Sequence, residues 1–570
     1  MLLVGTNGLS LWIPSLLRDA IRAMERNTDL RVIGRFAVLM IVVALAQAVV
    51  RTFSRQVILG ASRRIIYDVR NVFFAHLQRL GPSFYDTNRT GDIMSRGVND
   101  VRLIQSLYGP GLLNLLNTSI VYVAVLVLLL RIDIKLTLIS LLLYPALFFV
   151  VNRLSRRIYA RSLAVQEQLA LLSSRAQENI SGMQQVKIFA QEDRETAAFG
   201  ELCDEYRRRN LSMAALRGGM LAMIGAIAGL GALIVLFVGG RYVVQGRFDF
   251  GDFVAFNAYL SLLVWPTIAL GWIINTMQRG AGAMRRVGEV LAQQPDILAD
   301  PDPRPTSAGE SVVPQGDIEI RGLTFAYAVP PDERTRGAPQ AALHDIHLSI
   351  PRGSRLALVG PVGSGKSTLA NLLARFYPVP DGSIFIGGTD INRIRLSSLR
   401  RTIGYVPQEA FLFSRSLRDN IAMGQPTATE ADVSEAVEMA HLGGDLGAFP
   451  HGLDTVVGER GYTLSGGQRQ RTTLARALMG RPSLLILDDS LSSVDADTEQ
   501  TILRALHDHT RDHTLILISH RLSTLAGMDR IVVLDGGSIV EQGTHAELLA
   551  LDGLYARLFR RHLLEQRLTG

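Results

Sequence analysis

Cysteine is almost absent from this chain, and other features are missing as well. The one cysteine, Cys203, cannot form an intrachain disulfide, and its Arg- and Glu-rich surroundings indicate a cytoplasmic segment in which thiols stay reduced. A secretory pattern is missing, because no basic region precedes the first apolar run and no small-residue cleavage site follows it. Internal repeats and long low-complexity segments are missing too. We therefore expect a fold that depends neither on disulfides nor on repeated units.

Charged residues are absent from several long stretches in the first half of the chain. Apolar residues make up 48% of the sequence, and the excess lies before residue 280, in uncharged runs long enough to cross a bilayer. The net charge of +7 does not indicate nucleic acid, because the Arg residues are scattered beside these runs, where they attract anionic headgroups. At 570 residues the chain is too long for one core. The composition favours a multidomain protein with membrane lipid, and no nucleic acid, as a partner.

Six runs before residue 280 predict membrane-spanning helices. They are Met1–Leu17, Phe36–Val50, Leu112–Leu130, Leu136–Asn152, Gly218–Gly240 and Phe253–Gln278. The second run is short and needs flanking residues to cross. The two long connections, after Val50 and after Asn152, carry helical periodicity with interspersed charges. We therefore expect the helices to continue beyond the bilayer into the cytosol.

A few polar residues lie inside these runs, among them Asn114, Asn117 and Asn257. A polar group inside a membrane is costly unless it faces protein or water. Two explanations stay open, a substrate pathway and hydrogen bonds that only hold the helices together.

A change in composition marks the end of the membrane half. Residues Leu291–Pro314 are rich in Pro, Asp, Ser and Gly, which is typical of a linker. We therefore predict a transmembrane domain at residues 1–290, a linker at 291–314 and a second domain at 315–570. The polar stretch Pro330–Gln340 is predicted to be a surface loop of that second domain.

The second domain contains GPVGSGKST at Gly360–Thr368, which matches the phosphate-binding pattern G-x-x-x-x-G-K-[ST]. The apolar run Arg355–Val359 precedes it and a run with helical spacing follows it, so the order is strand, glycine-rich loop and helix. Glycines let backbone N–H groups turn onto phosphates, the lysine reaches the β and γ phosphates, and a serine hydroxyl holds Mg²⁺. The predicted ligands of ATP are Gly360, Gly363, Ser364, Gly365, Lys366, Ser367 and Thr368, with Ser367 on the metal.

Two further patterns belong to the same chemistry. The apolar run Ser483–Asp489 predicts a buried strand, at whose end Asp488 holds the Mg²⁺ shell beside Ser367. LSGGQ, at Leu464–Gln468, lies between the phosphate-binding loop and this strand in the sequence, and a predicted helix follows it. Glycines before a helix N-terminus form an anion site. The predicted phosphate contacts there are Ser465, Gly466, Gly467 and Gln468.

These motifs resemble those of ATP-binding cassette (ABC) exporters, and the resemblance covers nearly all of the chain. The chain is similar to a half-transporter, with a helical bundle of six transmembrane helices fused to one α/β P-loop nucleotide-binding domain that includes a helical subdomain. The resemblance implies a dimer, because two such domains pair head to tail in this family. Each ATP then lies between the phosphate loop of one subunit and the LSGGQ of the other. The implied location is the cell inner membrane, with the nucleotide-binding domain in the cytoplasm.

The resemblance also assigns roles to single residues. Tyr327 in TFAY resembles the aromatic residue that stacks on adenine, and Gln408 in YVPQ resembles the residue that senses Mg²⁺ and couples the domain to the membrane helices. Asp495 in SVD resembles part of the segment that communicates between the two sites. His520 in ISHR resembles the histidine that contacts the γ-phosphate. Gly458–Gly461 resembles an exporter-specific coupling segment.

The membrane half carries the resemblance as well. Ser83–Asp100 and Gln166–Glu192 resemble the cytoplasmic loops whose short helices dock on nucleotide-binding domains. Leu262–Arg286 resembles the last span of a multidrug-resistance-like bacterial subgroup that often works as heterodimers. Exporters usually have an amphipathic helix before the first span, whereas this chain begins within apolar sequence. We expect either an upstream start or a shortened first helix.

One residue departs from the family pattern at the catalytic position. In a fully competent site the residue after the strand-end Asp is Glu, a general base for the attacking water, whereas this chain has Asp489. Its side chain is one methylene shorter, and a misplacement of about 1 Å can cost about 10²-fold in rate. With Lys366 and His520 as the other predicted catalytic residues, we expect slow hydrolysis here. Because LSGGQ is intact, a heterodimer with a partner that supplies Glu is favoured, and a homodimer in which Asp489 is the base is the alternative.

The sequence therefore predicts an ATPase that drives the export of small amphipathic compounds, such as drugs, lipids or peptides. ATP and Mg²⁺ are the predicted cofactors, and a second half-transporter is the predicted partner. One alternative is an importer built on the exporter fold, for example for metal-chelating compounds. Another is a soluble cassette ATPase that acts on nucleic acid or ribosomes, and the six apolar runs argue against it.

Overall fold

The chain divides into two compact units. The computed structural model describes residues 1–26, 30–297, 316–327, 341–425, 427–458, 461, 463–509, 513–519 and 521–569. The first unit contains Met1–Ala75 and Gly91–Ala292, and the second contains His76–Thr90 and Gln293–Gly570. Most of the predicted linker and all of the predicted loop at 330–340 lie outside the described residues.

Helices build the first unit. In chain order they are α1 (Leu2–Arg26), α2 (Leu30–Leu77), α3 (Pro82–Thr87, in the second unit), α4 (Thr90–Ser95), α5 (Val101–Ser106), α6 (Leu112–Ile132), α7 (Ile134–Leu141), α8 (Leu143–Ser181), α9 (Met183–Ile188), α10 (Glu192–Ile234), α11 (Gly240–Val244) and α12 (Phe250–Leu291). Wider π-helical turns at Arg96–Asp100, Leu107–Gly111 and Val235–Gly239 join neighbouring helices into continuous rods. Pro110 lies in the second of these turns, where its missing N–H accounts for the irregular pitch.

Among the described residues, five helical rods are long and apolar enough to cross a membrane. They are Arg31–Leu77, Thr90–Ile132, Ile134–Ser181, Glu192–Val244 and Phe250–Leu291. The prediction of six spans is therefore confirmed only for five. The run Met1–Leu17 does form a helix, α1, but Thr6, Asn7 and Pro14 interrupt its apolar residues and Arg18 ends them.

The rods are much longer than a bilayer is thick. Helix α2 has 48 residues and α10 has 43, which at 1.5 Å per residue corresponds to about 72 Å and about 65 Å. Because the hydrocarbon core is about 30 Å thick, more than half of each helix lies outside it. The short predicted run Phe36–Val50 lies within α2, whose flanking residues supply the missing length.

Two sheets form the frame of the second unit. The strands are β1 (Ile318–Phe325), β2 (Leu343–Ile350), β3 (Arg355–Val359), β4 (Ile384–Ile386), β5 (Thr389–Asp390), β6 (Ile403–Val406), β7 (Leu484–Asp488), β8 (Thr514–Ile518), β9 (Arg530–Asp535) and β10 (Ser538–Gly543). The smaller sheet is antiparallel, with the order β2-β1-β4-β5. The larger has the order β10-β9-β3-β8-β7-β6 and is parallel except for β10.

Helices cover both faces of the larger sheet, which is why its central strands are apolar throughout. Every residue of β7 and β8 is buried. Leu358 of β3 packs in one cluster with Leu369, while Ala357 and Val359 pack on the other face with Tyr555. The helices of this unit after α3 are α13 (Lys366–Leu373), α14 (Leu396–Thr402), α15 (Leu417–Ala422), α16 (Glu430–Met439), α17 (Gly443–Leu446), α18 (Gly466–Leu478), α19 (Ala496–His509), α20 (Leu522–Leu525), α21 (His545–Ala550) and α22 (Leu554–Thr569).

The helical part of this unit, α15 to α18, packs around its own apolar cluster. Ile421, Val433 and Leu474 from three of its helices are buried together with Leu487 of β7. Strands β3, β7 and β8 are parallel and adjacent in the order β3-β8-β7, so their carboxyl ends meet at one edge. In open α/β sheets that edge is where ligands bind.

Candidate nucleotide-binding site

The loop between β3 and α13 contains two positions that only glycine can occupy. Gly360 and Gly365 have φ angles of 154° and 98°, values that residues with a side chain rarely adopt. A Cβ on Gly360 would lie 2.1 Å from the backbone oxygen of Leu534, and one on Gly365 would lie 2.8 Å from that of Ala342. The loop is therefore pressed against the neighbouring backbone. Helix α13 begins directly after it, and the N–H groups of a first helical turn have no acceptor within the helix.

Lys366 is folded back onto this loop. Its Nζ donates to the carbonyl oxygens of Gly360, at 2.9 Å, and Pro361, at 2.7 Å, and to the hydroxyl of Ser364, at 3.3 Å. Burial lowers the pKa of the Lys366 ammonium, and the nearby Asp488 carboxylate acts in the opposite direction. A phosphate oxygen is a stronger acceptor for an ammonium than a neutral carbonyl is. The arrangement thus holds a cation at the loop, ready for an anionic ligand.

Ser367 and Asp488 meet across the edge of the sheet. The Ser367 hydroxyl donates to Oδ1 of Asp488 at 3.0 Å, and Asp488 is only 4% exposed. Burial raises the pKa of this carboxyl, and the neighbouring Asp489 raises it further. A hydroxyl and a buried carboxylate are the oxygen ligands that Mg²⁺ prefers, and a cation would relieve the cost of burying the charge. The residues present fit the predicted metal.

Tyr405, which the sequence motifs did not single out, supports the same carboxylate. Its hydroxyl lies 2.8 Å from Oδ1 of Asn371 and 3.5 Å from Oδ2 of Asp488. Burial raises the pKa of this phenol, with a further contribution from Asp488, so it stays protonated and can donate. Gln408 follows three residues later on an exposed bend after β6, the strand paired with β7. No signal in the sequence marked Tyr405 beyond its place in YVPQ, because the pairing of β6 with β7 is visible only in the fold.

Asp489 lies in the left-handed region of backbone conformation, with a φ of 45°. Its N–H donates to the carbonyl of Ile518 at 2.8 Å, which fixes the turn to the end of β8. Among residues with a side chain, Asp and Asn adopt this conformation most readily. The carboxylate is half-buried and contributes to the pKa values of both Lys366 and Asp488, so it lies within the electrostatic reach of the site.

Tyr327 connects the end of β1 to the phosphate loop. Its hydroxyl donates to Oγ1 of Thr368, in the first turn of α13, at 3.0 Å. Its ring packs edge-to-face on Phe325, at 5.1 Å between centroids, and on Tyr377, at 5.0 Å. The ring is only half-buried, so part of its surface is open to a planar ligand.

The LSGGQ turn caps helix α18 with its own side chains. The Ser465 hydroxyl accepts from the N–H of Gln468 at 3.2 Å, and Oε1 of Gln468 accepts from the N–H of Ser465 at 3.0 Å. This reciprocal pair is a capping box. A Cβ on Gly466 or on Gly467 would lie 3.1 Å from an atom of Ser493. The structure thus brings the turn against the segment that follows Asp489.

The segment from Ser492 to Asp495 is held by three neighbours. Gln470 of α18 accepts from the N–H of Ser493 at 2.9 Å. Arg521 donates to the carbonyl of Ser492 at 2.7 Å, to that of Val494 at 2.6 Å and to the buried carboxylate of Glu499 at 2.6 Å. The exposed Asp495 carboxylate accepts from the N–H of Thr498 at 2.9 Å and so caps α19, and this bond lowers its pKa.

Arg521 and Glu499 were not predicted from the sequence, although Arg521 directly follows the predicted His520. Their pairing is visible only when β8 and α19 are folded together. His520 itself lies outside the described residues, as do Glu459 and Arg460 of the predicted coupling segment.

Comparisons with known proteins match both parts of the chain. The family described as the ABC transporter transmembrane region matches residues 1–267, and the family described as ABC transporter matches residues 343–492. A probable multidrug resistance ABC transporter ATP-binding/permease protein of Bacillus subtilis, YheI, is 34% identical over 99% of this chain and 94% of its own length. The multidrug resistance-like ATP-binding protein MdlA of Escherichia coli is 33% identical over 93% of this chain and 87% of its own.

The structural comparison extends over the whole length as well. A solved structure of a bacterial Atm1-family ABC exporter with ATP bound is similar to this chain with a TM-score of 0.77 and 29% sequence identity. The similarity covers 98% of this chain and 97% of that one.

Proposed function

The chain belongs to the ABC transporter family, and on that premise we propose that it works as one half of a dimeric exporter of amphipathic compounds. It is an ATP-driven exporter of the multi-pass membrane type, with its nucleotide-binding domain in the cytoplasm, and hydrolysis of ATP is coupled to transport. Beyond this, we propose the dimer, the bound metal, the roles of single residues and the class of substrate.

One observation carries the proposed dimer. The chain has two surfaces suited to phosphate, the glycine loop before α13 and the capped turn before α18. The first has a lysine and carboxylates, whereas the second packs against Ser493 and contains neither. A turn that offers only N–H groups and hydroxyls needs a nucleotide already held elsewhere. The phosphate loop of a second subunit would supply that nucleotide, and the arrangement would repeat with the roles exchanged.

The proposed chemistry of the site uses residues in three roles. Lys366 would bind the β and γ phosphates and stabilise the charge that develops during in-line attack by water. Ser367 and Asp488 would hold Mg²⁺, with Gln408 beside them, and the metal would neutralise charge on the same phosphates. Tyr327 would stack on the adenine. Its bond to Thr368 would fix the base relative to the phosphate loop.

Asp489 would act as the base at the site of this chain, and slowly. Its short side chain starts from a left-handed backbone that Ile518 fixes, so the carboxylate has little freedom to move toward the water. The turn that completes the partner's site, Ser465–Gln468, is intact. Together these features support a heterodimer in which the other subunit supplies Glu and this chain supplies the signature turn.

We also propose that α1 is a sixth crossing. Helix α1 is less apolar than the five other spans, but it packs on α12 within the first unit. The Tyr259 hydroxyl donates to the carbonyl of Leu11 at 3.0 Å, and Arg22 pairs with Asp252 at 2.6 Å. A helix bonded along its length to a membrane-spanning neighbour is expected to lie in the same layer.

A vesicle assay tests the proposed function. Inside-out vesicles that contain the transporter expose its nucleotide-binding domain to the outer medium, to which ATP and Mg²⁺ are added, and the accumulation of Hoechst 33342, ethidium or a fluorescent phospholipid in the lumen is followed. We expect ATP-dependent movement of at least one probe into the lumen, lost in Lys366→Ala and kept in Lys135→Ala, a change of an exposed lysine in the first unit. Movement out of the lumen would indicate an importer. No ATP-dependent movement of any probe would contradict the proposed substrate class.

A further inference from the structure

The short helix α3 is bonded to the nucleotide-binding unit at a single tyrosine. The hydroxyl of Tyr377 donates to Oδ2 of Asp86, in the last turn of α3, at 2.7 Å. Burial raises the pKa of Tyr377, and the Asp86 carboxylate raises it further, so the phenol stays protonated and is the donor. Hydrogen bonds from a neutral donor to a carboxylate are short and strong. The bond links residues that are 291 positions apart in the sequence.

The same tyrosine packs against the predicted adenine site. The ring of Tyr377 meets the ring of Tyr327 at 90°, with 5.0 Å between centroids, and lies 6.0 Å from the ring of Phe325. Edge-to-face pairs have a preferred geometry, so a change in the orientation of one ring changes the best position of the other. Tyr327 is in turn bonded to Thr368 of the phosphate loop.

These contacts form a continuous path from the base site to α3. It runs from Tyr327 through Tyr377 to Asp86, by one ring contact and one hydrogen bond. Tyr377 is the only member of this path that touches both the aromatic site and α3 among the described contacts. A planar base that stacks on Tyr327 would restrict its ring, and hence the ring and hydroxyl of Tyr377.

We propose that Tyr377 is a positioning residue that transmits occupancy of the purine-base site, as distinct from the phosphate site, to α3. This inference rests on the proposed function, because it requires that Tyr327 binds the base. Nucleotide then acts on α3 through its base. A ligand that fills only the phosphate loop leaves the face of the Tyr327 ring uncovered, so it restricts that ring less than a stacked base does and has less effect on the bond between Tyr377 and Asp86.

Hydrogen exchange of the full-length protein in lipid nanodiscs, with ADP or with pyrophosphate, tests this. The two ligands are compared at concentrations that protect the peptide of the phosphate loop equally, so that they differ only in the nucleoside. We expect ADP to slow exchange in the peptide that covers residues 82–90 by about threefold or more relative to pyrophosphate. In Tyr377→Phe, which keeps the ring and removes the donor, the difference between the two ligands should disappear.

The controls separate transmission from packing and from binding. Tyr85→Phe removes a similar hydroxyl from α3, one that donates to the carbonyl of Leu77 at 2.7 Å and has no contact with the base site among the described residues, and should keep the difference. Asp86→Ala should abolish it, and adding Tyr377→Phe to Asp86→Ala should have no further effect.

Two results would overturn the inference: equal exchange with ADP and pyrophosphate in the wild type, or a difference that persists in Tyr377→Phe. Failure of the proposed function would look different. If ADP did not protect the phosphate loop, or bound Tyr327→Ala as tightly as the wild type, the assignment of the nucleotide site itself would be wrong.

Discussion

The phosphate loop before α13 and the signature turn before α18 are both glycine-rich turns that open a helix, but they are stabilised in different ways. The loop is pressed against neighbouring strands, and its lysine is buried beside two carboxylates. The turn is capped by its own side chains, and its Ser465 is exposed. The loop therefore has the groups for chemistry, with one short carboxylate, whereas the turn has only the groups for recognition. In the proposed dimer, the turn of one subunit would complete the nucleotide site that the loop of the other subunit begins.

The largest expected effect comes from a change in the loop. Gly360→Ala would put a Cβ 2.1 Å from a backbone oxygen of β9, so the loop or the strand must shift. We expect nucleotide affinity to fall about 10²-fold or more, because a displaced loop loses N–H bonds to charged phosphate oxygens, and two such bonds at about 1.5–3 kcal/mol each amount to that loss. Nucleotide binding is measured by equilibrium dialysis with labelled ATP.

Gly363→Ala is the matched control for this change. Gly363 also has a positive φ, of 81°, but no atom lies within 4 Å of its added Cβ. It should cost only the backbone strain, about 1–2 kcal/mol. Equal losses in the two variants would mean that the contact with β9 does not shape the loop.

A smaller effect is expected in the signature turn. Ser465→Ala removes the acceptor for the N–H of Gln468, and loss of a helix cap costs about 1 kcal/mol, or about fivefold to tenfold in an equilibrium. We expect this loss in the ATPase activity of the dimer, with unchanged nucleotide affinity of the phosphate loop in the same chain. Reduced ATP affinity of the isolated subunit would contradict the assignment of the turn to a partner's nucleotide.

The smallest expected effect is on thermal stability. It depends on the opposite directions of two pKa shifts, because the pKa of Asp488 is raised and that of Asp495 is lowered. Because burial raises the pKa of Asp488, its ionised form is unfavourable in the folded, ligand-free protein. That cost is fully present above the raised folded pKa, declines as pH falls from there toward the ordinary pKa of the unfolded chain, and is absent below it. We therefore expect Asp488→Asn to raise the Tm of the nucleotide-binding unit by a few degrees at neutral pH, and less at low pH.

Calorimetry without nucleotide is the suitable measurement, because all three tryptophans lie before residue 280 and their fluorescence would not report on this unit. Asp495→Asn is the control. Its pKa is lowered by a hydrogen bond, so its loss should not stabilise the protein. A lower Tm for Asp488→Asn would show that the carboxylate is stabilising even without its metal.

The sequence predicted what depends on local pattern. The strand, loop and helix around Lys366, the buried strand that ends at Asp488 and the helix after LSGGQ each follow from a few consecutive residues. The sixth span could not be decided, because polar residues inside α1 bring its composition close to that of a soluble helix. The packing of α1 on α12 supports a sixth span, but it joins parts of the chain that are far apart in the sequence, so the residues of α1 alone do not show it.

What the sequence did not predict are pairs of distant residues. Tyr405 reaches Asp488 over 83 positions, and Tyr377 reaches Asp86 over 291. Arg521 and Glu499 are 22 positions apart, but their pairing depends on how β8 and α19 pack. Tyrosine and arginine are common on protein surfaces, so no spacing rule marks the few that connect elements. These residues surround the motifs and determine how the parts of the site are held relative to each other.

The most direct test of the account is the Mg²⁺-dependent ATPase activity of this chain purified alone in lipid, beside Asp489→Glu and Asp489→Asn. We predict a nearly inactive wild type and a gain of about tenfold or more in Asp489→Glu, reduced somewhat because Glu adopts a φ of 45° less readily than Asp. A wild type that turns over, with no gain in Asp489→Glu and loss in Asp489→Asn, would contradict the account. Asp489 would then be a working base, and the dimer would consist of two copies of this chain.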